Sequence, residues 1–120
     1  MARILVIDDE DIVRKSISHM LESEGHDVRV ASSGNEGVSH FKQQPPDLLI
    51  TDILMPDKDG LEIIRELSGD YPFVKFLAIT GGGATGTLDF LPQAKAFGAH
   101  GTLRKPFLRE DLLGKISEIM

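Results

Sequence analysis

Five polar residues of kinds that can bind a cation or a phosphoryl group each follow an apolar segment of the chain. They are Asp8, Asp9, Asp52, Thr80 and Lys105. Carboxylates crowded at one site repel one another and need a compensating positive charge. Because the chain has no cysteine and its four histidines are scattered, the available ligands are oxygens, which favour Mg²⁺ or Mn²⁺. The residue types therefore predict a site for a hard divalent cation, provided that the fold brings them together.

Asp52 is the acid whose position admits two interpretations. It ends an apolar run, residues 48–51, and precedes a loop that proline and glycine exclude from regular structure. Taken alone, it is more simply a loop residue that accepts backbone hydrogen bonds. Beside a cation, its carboxylate could instead attack phosphorus and form an acyl phosphate, while Lys105 and Thr80 neutralise charge on the phosphoryl oxygens. Only the neighbours of Asp52 can decide between these roles.

The elements that must position these residues alternate regularly along the chain. Apolar or alternating runs predict strands at residues 3–7, 27–31, 48–51, 73–79 and 101–104. A helical stripe follows each strand, and five strand–helix repeats imply a parallel sheet with helices on both faces. We expect a flavodoxin-like doubly wound α/β fold, (βα)5, with strand order 2-1-3-4-5. In such a fold the strand ends share one edge, so the five polar residues converge there.

Apolar spacing and caps indicate the helices. Capping-box patterns at residues 33–36 and 59–62 open the second and third helices, and Pro92 limits the fourth to a short or bent segment. Glu10 and Asp11 suit the start of the first helix, although contact with a metal pocket is an alternative role. The stripe residues are Ile12, Val13, Ile17, Met20 and Leu21 in the first helix, Val38 and Phe41 in the second, Leu61, Ile64 and Leu67 in the third, Leu88, Leu91 and Phe97 in the fourth, and Phe107, Leu112, Leu113, Ile116 and Ile119 in the fifth.

Length and composition limit the possible classes of protein. A chain of 120 residues has the size of one ordinary domain, so we expect a single domain over residues 1–120. The formal net charge of −6 argues against direct binding to nucleic acid, because no surplus of Lys and Arg exists to contact phosphates. No apolar run approaches the ~20 residues of a membrane span, and the N-terminus lacks a secretory leader. Together with the absence of cysteine, these features predict a cytoplasmic protein without membrane association.

The chain resembles a receiver domain of bacterial two-component response regulators, the CheY-like superfamily, over essentially its whole length. The resemblance depends on several motifs in the right order and at suitable spacing. These motifs are Asp8-Asp9, Asp52 with Met55-Pro56 and Asp59-Gly60, Thr80, and Lys105-Pro106-Phe107. Any one of them alone would be weak, but their joint occurrence makes a purely structural origin improbable.

The resemblance implies roles for the acids at the predicted site. Asp52 would be the phosphoacceptor. Mg²⁺, for which Mn²⁺ can substitute, would be bound directly by Asp9, Asp52 and the backbone carbonyl of Leu54, and by Asp8 through water. The chain would not be an independent enzyme, because it would take part only in phosphoryl transfer to and from its own aspartate.

The resemblance also implies a signalling role with particular partners. Lys105 would pair with the phosphoryl group, Thr80 would report its presence, and the Lys105–Pro106 peptide would be cis. The phosphohistidine donor would belong to a histidine kinase or phosphotransfer protein. An output partner or effector domain would respond, and a homodimer through the fourth helix, fifth strand and fifth helix is a further expectation.

Two positions depart from the family pattern. Receivers usually carry Tyr or Phe three residues before the lysine, and Thr102 stands there instead. Thr80 is followed by three glycines at residues 81–83, which cost more entropy to order than alanine would. We therefore predict that the loop after Thr80 and the fourth helix carry the response to phosphorylation.

Two other classes of function remain as alternatives. A Mg²⁺-dependent phosphohydrolase could act through Asp52 on a diffusible substrate. However, Ile53 and Leu54 follow Asp52, so the second aspartate that haloacid-dehalogenase-type phosphatases use as acid and base is missing. An interaction module that keeps the fold without phosphorylation is the third possibility, and the complete acidic set argues against it.

Overall fold

The computed structural model describes residues 1–81 and 91–120, except for the side chain of Leu91. The strands are β1 (Arg3–Ile7), β2 (Asp27–Ala31), β3 (Leu48–Asp52), β4 (Lys75–Thr80) and β5 (Gly101–Arg104). The helices are α1 (Asp11–Glu22), α2 (Gly34–Gln43), α3 (Gly60–Ser68), α4 (Leu91–Phe97) and α5 (Arg109–Ile119). All strand pairs are parallel and the order is β2-β1-β3-β4-β5, which confirms the predicted fold.

The two faces of the sheet are buried by different helices. Successive side chains of a strand point to opposite faces, so in β1 Leu5 and Ile7 enter one cluster while Ile4 and Val6 enter the other. The first cluster includes residues of α2, α3 and α4, and the second includes residues of α1 and α5. The central strand β3 is buried along its whole length. It therefore holds its last residue, Asp52, in a rigid position at the edge of the sheet.

Both predicted helix caps are present. The Ser33 side chain accepts a hydrogen bond of 3.1 Å from the Glu36 amide, and Asp59 accepts one of 2.8 Å from the Glu62 amide. The short fourth helix has Pro92 in its first turn, where proline costs little. It is followed by Gly98 with a φ of +122°, a left-handed conformation that favours glycine.

Several apolar residues that the sequence places on a buried helix face or in a strand are exposed in the structure. Ile12 is 82% exposed, because it lies five residues from the buried Ile17 and thus about 140° away around the helix. Phe73 is 94% exposed and precedes β4, which begins only at Lys75. Among the side chains of α4 that the structure describes, Ala94 is buried, whereas Phe97 is 36% exposed.

Two further residues predicted to lie on helix stripes are not part of a described helix. Phe107 precedes α5 and packs only partly against the core. Leu88 lies outside the described residues. Within residues 1–81 and 91–120, no helix has both the length and the apolar character that crossing a membrane requires.

Candidate functional site

Acidic residues from two neighbouring strands meet at the carboxyl edge of the sheet. Asp8 and Asp9 follow β1 directly, and Asp52 ends β3, whose Thr51 pairs with Ile7 of β1. One carboxylate oxygen from each of Asp8, Asp9, Glu10 and Asp52 lies within 4.8 Å of the others. The fold thus brings together the three acids predicted from the sequence and adds Glu10.

The four acids differ in their exposure to solvent. Asp8 is 1% exposed and Asp52 is 5% exposed, whereas Asp9 and Glu10 lie on the surface. The site therefore extends from a buried wall to an open rim. Such a geometry keeps the Asp52 carboxylate in a fixed position and leaves the acidic group open to solvent on one side.

The ammonium of Lys105 lies among these acids. Its Nζ is 2.9 Å from Asp8 Oδ2, 3.4 Å from Asp52 Oδ2 and 3.4 Å from Glu10 Oε1. The backbone amide of Lys105 donates a hydrogen bond of 2.7 Å to the carbonyl of Thr80, so the lysine begins the loop after β5 beside the end of β4. The Lys105–Pro106 peptide is cis, as the resemblance implies.

Burial dominates the acidity of Asp52. Burial raises the pKa of Asp52 to about 6. The positive charge of Lys105 lowers this pKa, whereas the nearby negative charge of Asp8 raises it further. For Lys105, burial alone would lower the pKa. The hydrogen bond to Asp8 and the charges of Asp52 and Glu10 outweigh burial, and the pKa is raised above its ordinary value.

The donor set fits a hard divalent cation. The four carboxylates lie together, and the Lys105 ammonium pairs with three of them, which leaves an excess of negative charge at a partly buried site. All the side-chain donors are oxygens, which Mg²⁺ and Mn²⁺ prefer. Leu54, whose carbonyl is the fourth predicted donor, lies two residues after Asp52 in the loop that follows β3.

The backbone around Asp52 fixes the orientation of its carboxylate. The Ile53 amide donates to Asp52 Oδ1 at 2.9 Å and to the Ile79 carbonyl at 2.9 Å. The Gly60 amide donates to the Ile53 carbonyl at 2.7 Å, and a Cβ at position 60 would collide with the carbonyl oxygen of Asp52. Since Oδ1 is bound to the local backbone, Oδ2 is the oxygen that faces Lys105.

Arg14 and Glu10 also contribute to this site, and of these two only Arg14 was not considered in the sequence. The Arg14 guanidinium donates to the Asp8 carbonyl at 2.7 Å and to Asp11 at 2.9 Å, so it holds the loop that carries the acids. Glu10 makes no side-chain cap for α1, and its carboxylate lies beside Lys105 instead. Of the two roles considered for Glu10, contact with the acidic pocket is the one observed. The arginine carries no recognisable signal in the sequence, because it resembles any exposed residue of a helix.

Thr80 and Thr102 lie in the last two strands. Thr80 ends β4 one position beyond Ile79, the partner of Asp52, and is buried. Thr102 pairs with Ala78 in the middle of β5. Gly81 is the last described residue of the glycine run, and Gly82 and Gly83 lie outside the described residues.

The sequence model of a protein family, the response regulator receiver domain, matches residues 4–117 of the chain. The chain belongs to this family. It is 34% identical over 118 residues to response regulator MprA of Mycobacterium tuberculosis, covering 98% of the chain and 50% of that protein. The receiver domain thus spans about half the length of the curated relatives that it matches.

Solved structures agree with the family. Chemotaxis response regulator CheY4 of Vibrio cholerae has a TM-score of 0.88 and 30% identity, covering 100% of this receiver domain and 99% of that chain. The beryllofluoride-activated NtrC4 receiver domain dimer has a TM-score of 0.87 and 32% identity, covering 98% of this domain and 94% of that chain. Receiver domains are signalling domains of two-component systems, so this chain is a signalling domain.

The histidines of this receiver domain lie outside the acidic group. His26 Nδ1 accepts a hydrogen bond of 3.1 Å from the Ala2 amide, and His100 Nδ1 accepts one of 3.1 Å from the Phe76 amide. The group of acids found in the described part of the chain contains no histidine. One ring nitrogen of each of these two histidines thus has a backbone hydrogen-bond partner.

Proposed function

We propose that Asp52 accepts a phosphoryl group from a phosphohistidine of a histidine kinase or phosphotransfer protein, and that the domain acts as a phosphorylation-dependent switch. One observation carries this proposal. The buried carboxylate of Asp52 lies at a strand end, with Oδ2 3.4 Å from the Lys105 ammonium and with Asp8 and Asp9 in the same group. A nucleophile, an acidic cation site and a fixed ammonium are the groups that phosphoryl transfer to a carboxylate needs.

The transfer converts one phosphorus bond into another. A carboxylate oxygen of Asp52 attacks phosphorus, the new O–P bond forms, and the P–N bond to the donor histidine breaks. The electron pair of that bond goes to the leaving nitrogen, and the imidazole departs neutral because its other nitrogen keeps its proton. The product is an acyl phosphate on Asp52.

Mg²⁺, or Mn²⁺ in its place, would be bound by Asp9, Asp52 and the Leu54 carbonyl, and by Asp8 through water. When bound, the ion supplies positive charge to the phosphoryl oxygens. The cluster of acids supports this assignment. Burial raises the pKa of Asp52 to about 6. At pH 7 the carboxylate is mostly ionised even so, and is available as a nucleophile.

Lys105 and Thr80 connect the chemistry to the signal. Lys105 Nζ lies 2.9 Å from Asp8, and a phosphoryl group on Asp52 would offer it a stronger anionic partner within the same reach. Thr80 would donate its hydroxyl to a phosphoryl oxygen and so report the modification. The movement would then shift the loop after β4 and the face formed by α4, β5 and α5.

The shifted face would control an output partner or effector domain. Because the curated relatives are about twice as long as this chain, an effector domain on the same polypeptide is one form of that partner. The structural neighbour NtrC4 is an activated receiver domain dimer, which supports a homodimer as a second form of output. The net charge of −6 argues against direct nucleic-acid binding by this domain itself.

Incubation with Mg²⁺ and acetyl phosphate, followed by intact mass measurement, tests the proposal. We expect the wild type to gain the mass of one phosphoryl group and Asp52→Asn to gain none. Asp70→Asn is the matched control, since it makes the same change at an exposed loop residue. A gain that persists in Asp52→Asn would refute the assignment of Asp52. Multiple turnover of a small phosphoester would show that the chain is a hydrolase instead.

A further inference from the structure

The loop between β3 and α3, residues 53–59, makes contacts with a helix outside the acidic group. Asp57 Oδ1 accepts a hydrogen bond of 3.1 Å from the Gly34 amide, and Asp57 Oδ2 accepts one of 2.8 Å from the Asn35 amide. Gly34 and Asn35 are the first two residues of α2, whose amides have no partner within the helix. We call these two hydrogen bonds the Asp57 bridge.

Close packing accompanies the Asp57 bridge. A Cβ at Gly34 would collide with the carbonyl oxygen of Lys58 and lie 2.8 Å from the Lys58 Cβ. The loop backbone therefore lies directly against the start of α2. Lys58 Nζ pairs with Glu66 of α3 at 3.1 Å, and Asp59 caps α3. Three consecutive residues thus attach this loop to two helices.

The same loop contains the carbonyl proposed to bind the metal. At its base, the Gly60 amide donates to the Ile53 carbonyl, and the Ile53 amide donates to Ile79. Leu54 lies between this base and Asp57. The position of the Leu54 carbonyl is therefore constrained from one side by β3 and β4 and from the other by the Asp57 bridge to α2.

We propose that Asp57 is a positioning residue, which binds the amides at the start of α2 and thereby orders the loop that presents the Leu54 carbonyl to Mg²⁺. This inference rests on the proposed function. A ligand held in place before binding costs less entropy to order when the ion arrives, so the Asp57 bridge raises metal affinity. By reciprocity, Mg²⁺ binding makes the bridge more persistent.

Calorimetric titration of Mg²⁺ into folded protein tests the affinity part of this inference. We expect Asp57→Ala to bind Mg²⁺ about tenfold more weakly, at the lower end of the effect of removing groups that orient metal ligands. Asp57→Asn keeps one carbonyl oxygen as acceptor and should restore part of the affinity. Unchanged affinity in Asp57→Ala overturns the inference.

Ser33→Ala is the matched control. It removes the side-chain cap of the same helix, the 3.1 Å bond from the Glu36 amide, and leaves Asp57 intact. We expect it to lower stability without weakening Mg²⁺ binding. An equal loss of affinity in Ser33→Ala and Asp57→Ala would show that only the integrity of α2 matters, which overturns the positioning role.

Amide hydrogen exchange supplies a readout that does not depend on phosphorylation. We expect Mg²⁺ to slow amide exchange at Gly34 and Asn35 in the wild type. In Asp57→Ala, Mg²⁺ should have no such effect. If Mg²⁺ leaves exchange at these two amides unchanged in the wild type, metal binding and the Asp57 bridge are not coupled, and the inference is wrong. A wild type that binds no Mg²⁺ would refute the proposed metal site and this inference together, whereas binding without any effect of Asp57→Ala refutes this inference alone.

Discussion

At the scale of single residues, the ionisation of Asp52 affects folding as well as chemistry. Its pKa is raised, chiefly by burial, from an ordinary value of 3.8 to about 6. Without a bound cation, the folded state therefore binds more protons than the unfolded state between these two values. The free energy of unfolding falls as the pH rises through this window, so ionised Asp52 destabilises the fold at pH 7.

Asp52→Asn should accordingly be more stable than the wild type at pH 7 in the presence of a chelator. We expect a difference of about 1–2 kcal/mol, less than the full pKa shift would give because solvent screens part of it. Urea denaturation of both proteins at pH 7 and at pH 3.5 measures it. The difference should nearly disappear at the lower pH, where Asp52 is protonated in the folded state and mostly protonated in the unfolded state. A stability advantage of Asp52→Asn that does not depend on pH would contradict this explanation.

Lys105 separates signalling from metal binding. Its ammonium pairs with Asp8, Glu10 and Asp52, so under the proposed function its removal would take away a competitor of the metal and also the partner of the phosphoryl group. We expect Lys105→Ala to keep Mg²⁺ affinity within about threefold and to lose most of the response to beryllofluoride, an effect similar to losing one charge-assisted contact. Calorimetry and amide chemical shifts measure the two quantities. Lys115→Ala is the control, because it removes a lysine of α5 that pairs with Glu118 outside the site. If Lys105→Ala loses Mg²⁺ affinity and the beryllofluoride response to the same extent, Lys105 has no role in the response apart from metal binding.

At the scale of the elements, the junction between β3 and α3 requires glycine for steric reasons. Gly60 lies against the Asp52 carbonyl and donates to Ile53, so backbone occupies the space that a Cβ would need. Gly114 in α5 has nothing within 4 Å of the corresponding position. The two glycines thus differ in their surroundings although both lie in helices.

Alanine at these two positions should have opposite effects. Gly60→Ala should lower the free energy of unfolding by about 2 kcal/mol or more, because the rigid strand cannot move away. Gly114→Ala should raise it by roughly 0.5–1 kcal/mol, because alanine restricts the unfolded chain and favours the helix. Thermal denaturation of both variants checks the contrast, and a Gly60→Ala protein as stable as the wild type would contradict the packing.

At the scale of the whole molecule, the proposed function requires a signal to pass from Asp52 across the sheet to a partner. Thr80 is one strand away from Asp52, and the Lys105 amide bonds to the Thr80 carbonyl, so β4 and β5 meet at the site. The face formed by α4, β5 and α5 lies directly beyond them. Thr102 replaces the usual aromatic residue of β5, so a ring that changes position cannot carry this signal.

Amide hydrogen exchange with and without beryllofluoride tests the route. We expect protection to increase by about tenfold between Thr80 and Phe97, because the proposed contact of Thr80 with a phosphoryl group would offset the entropy that ordering the following glycines costs. Regions of α1 away from the site should change little and provide an internal control. Unchanged protection between Thr80 and Phe97 would defeat the proposed route.

The sequence alone determined the strand order and the residues at the edge of the sheet. Buried parallel strands require apolar runs, and four of the five predicted strands lead into a residue with recognisable chemistry. Asp8, Asp9, Asp52, Thr80 and Lys105 could therefore be identified from the sequence. The caps at Ser33 and Asp59 were also predictable, because each cap side chain binds an amide only three residues further along the chain. Local patterns suffice where neighbours in the chain supply the constraint.

Only the tertiary structure decided the exposure of Ile12, the contacts of Glu10 and Arg14 with the acidic loop, and the Asp57 bridge. Ile12 shares the apolar character of its helix but not its buried face, which depends on how the helix is rotated against the sheet. The Asp57 bridge joins residues more than 20 positions apart, and nothing in the local sequence distinguishes Asp57 from an ordinary loop acid. Contacts between distant segments depend on the packing of the whole chain, which no single stretch of sequence specifies.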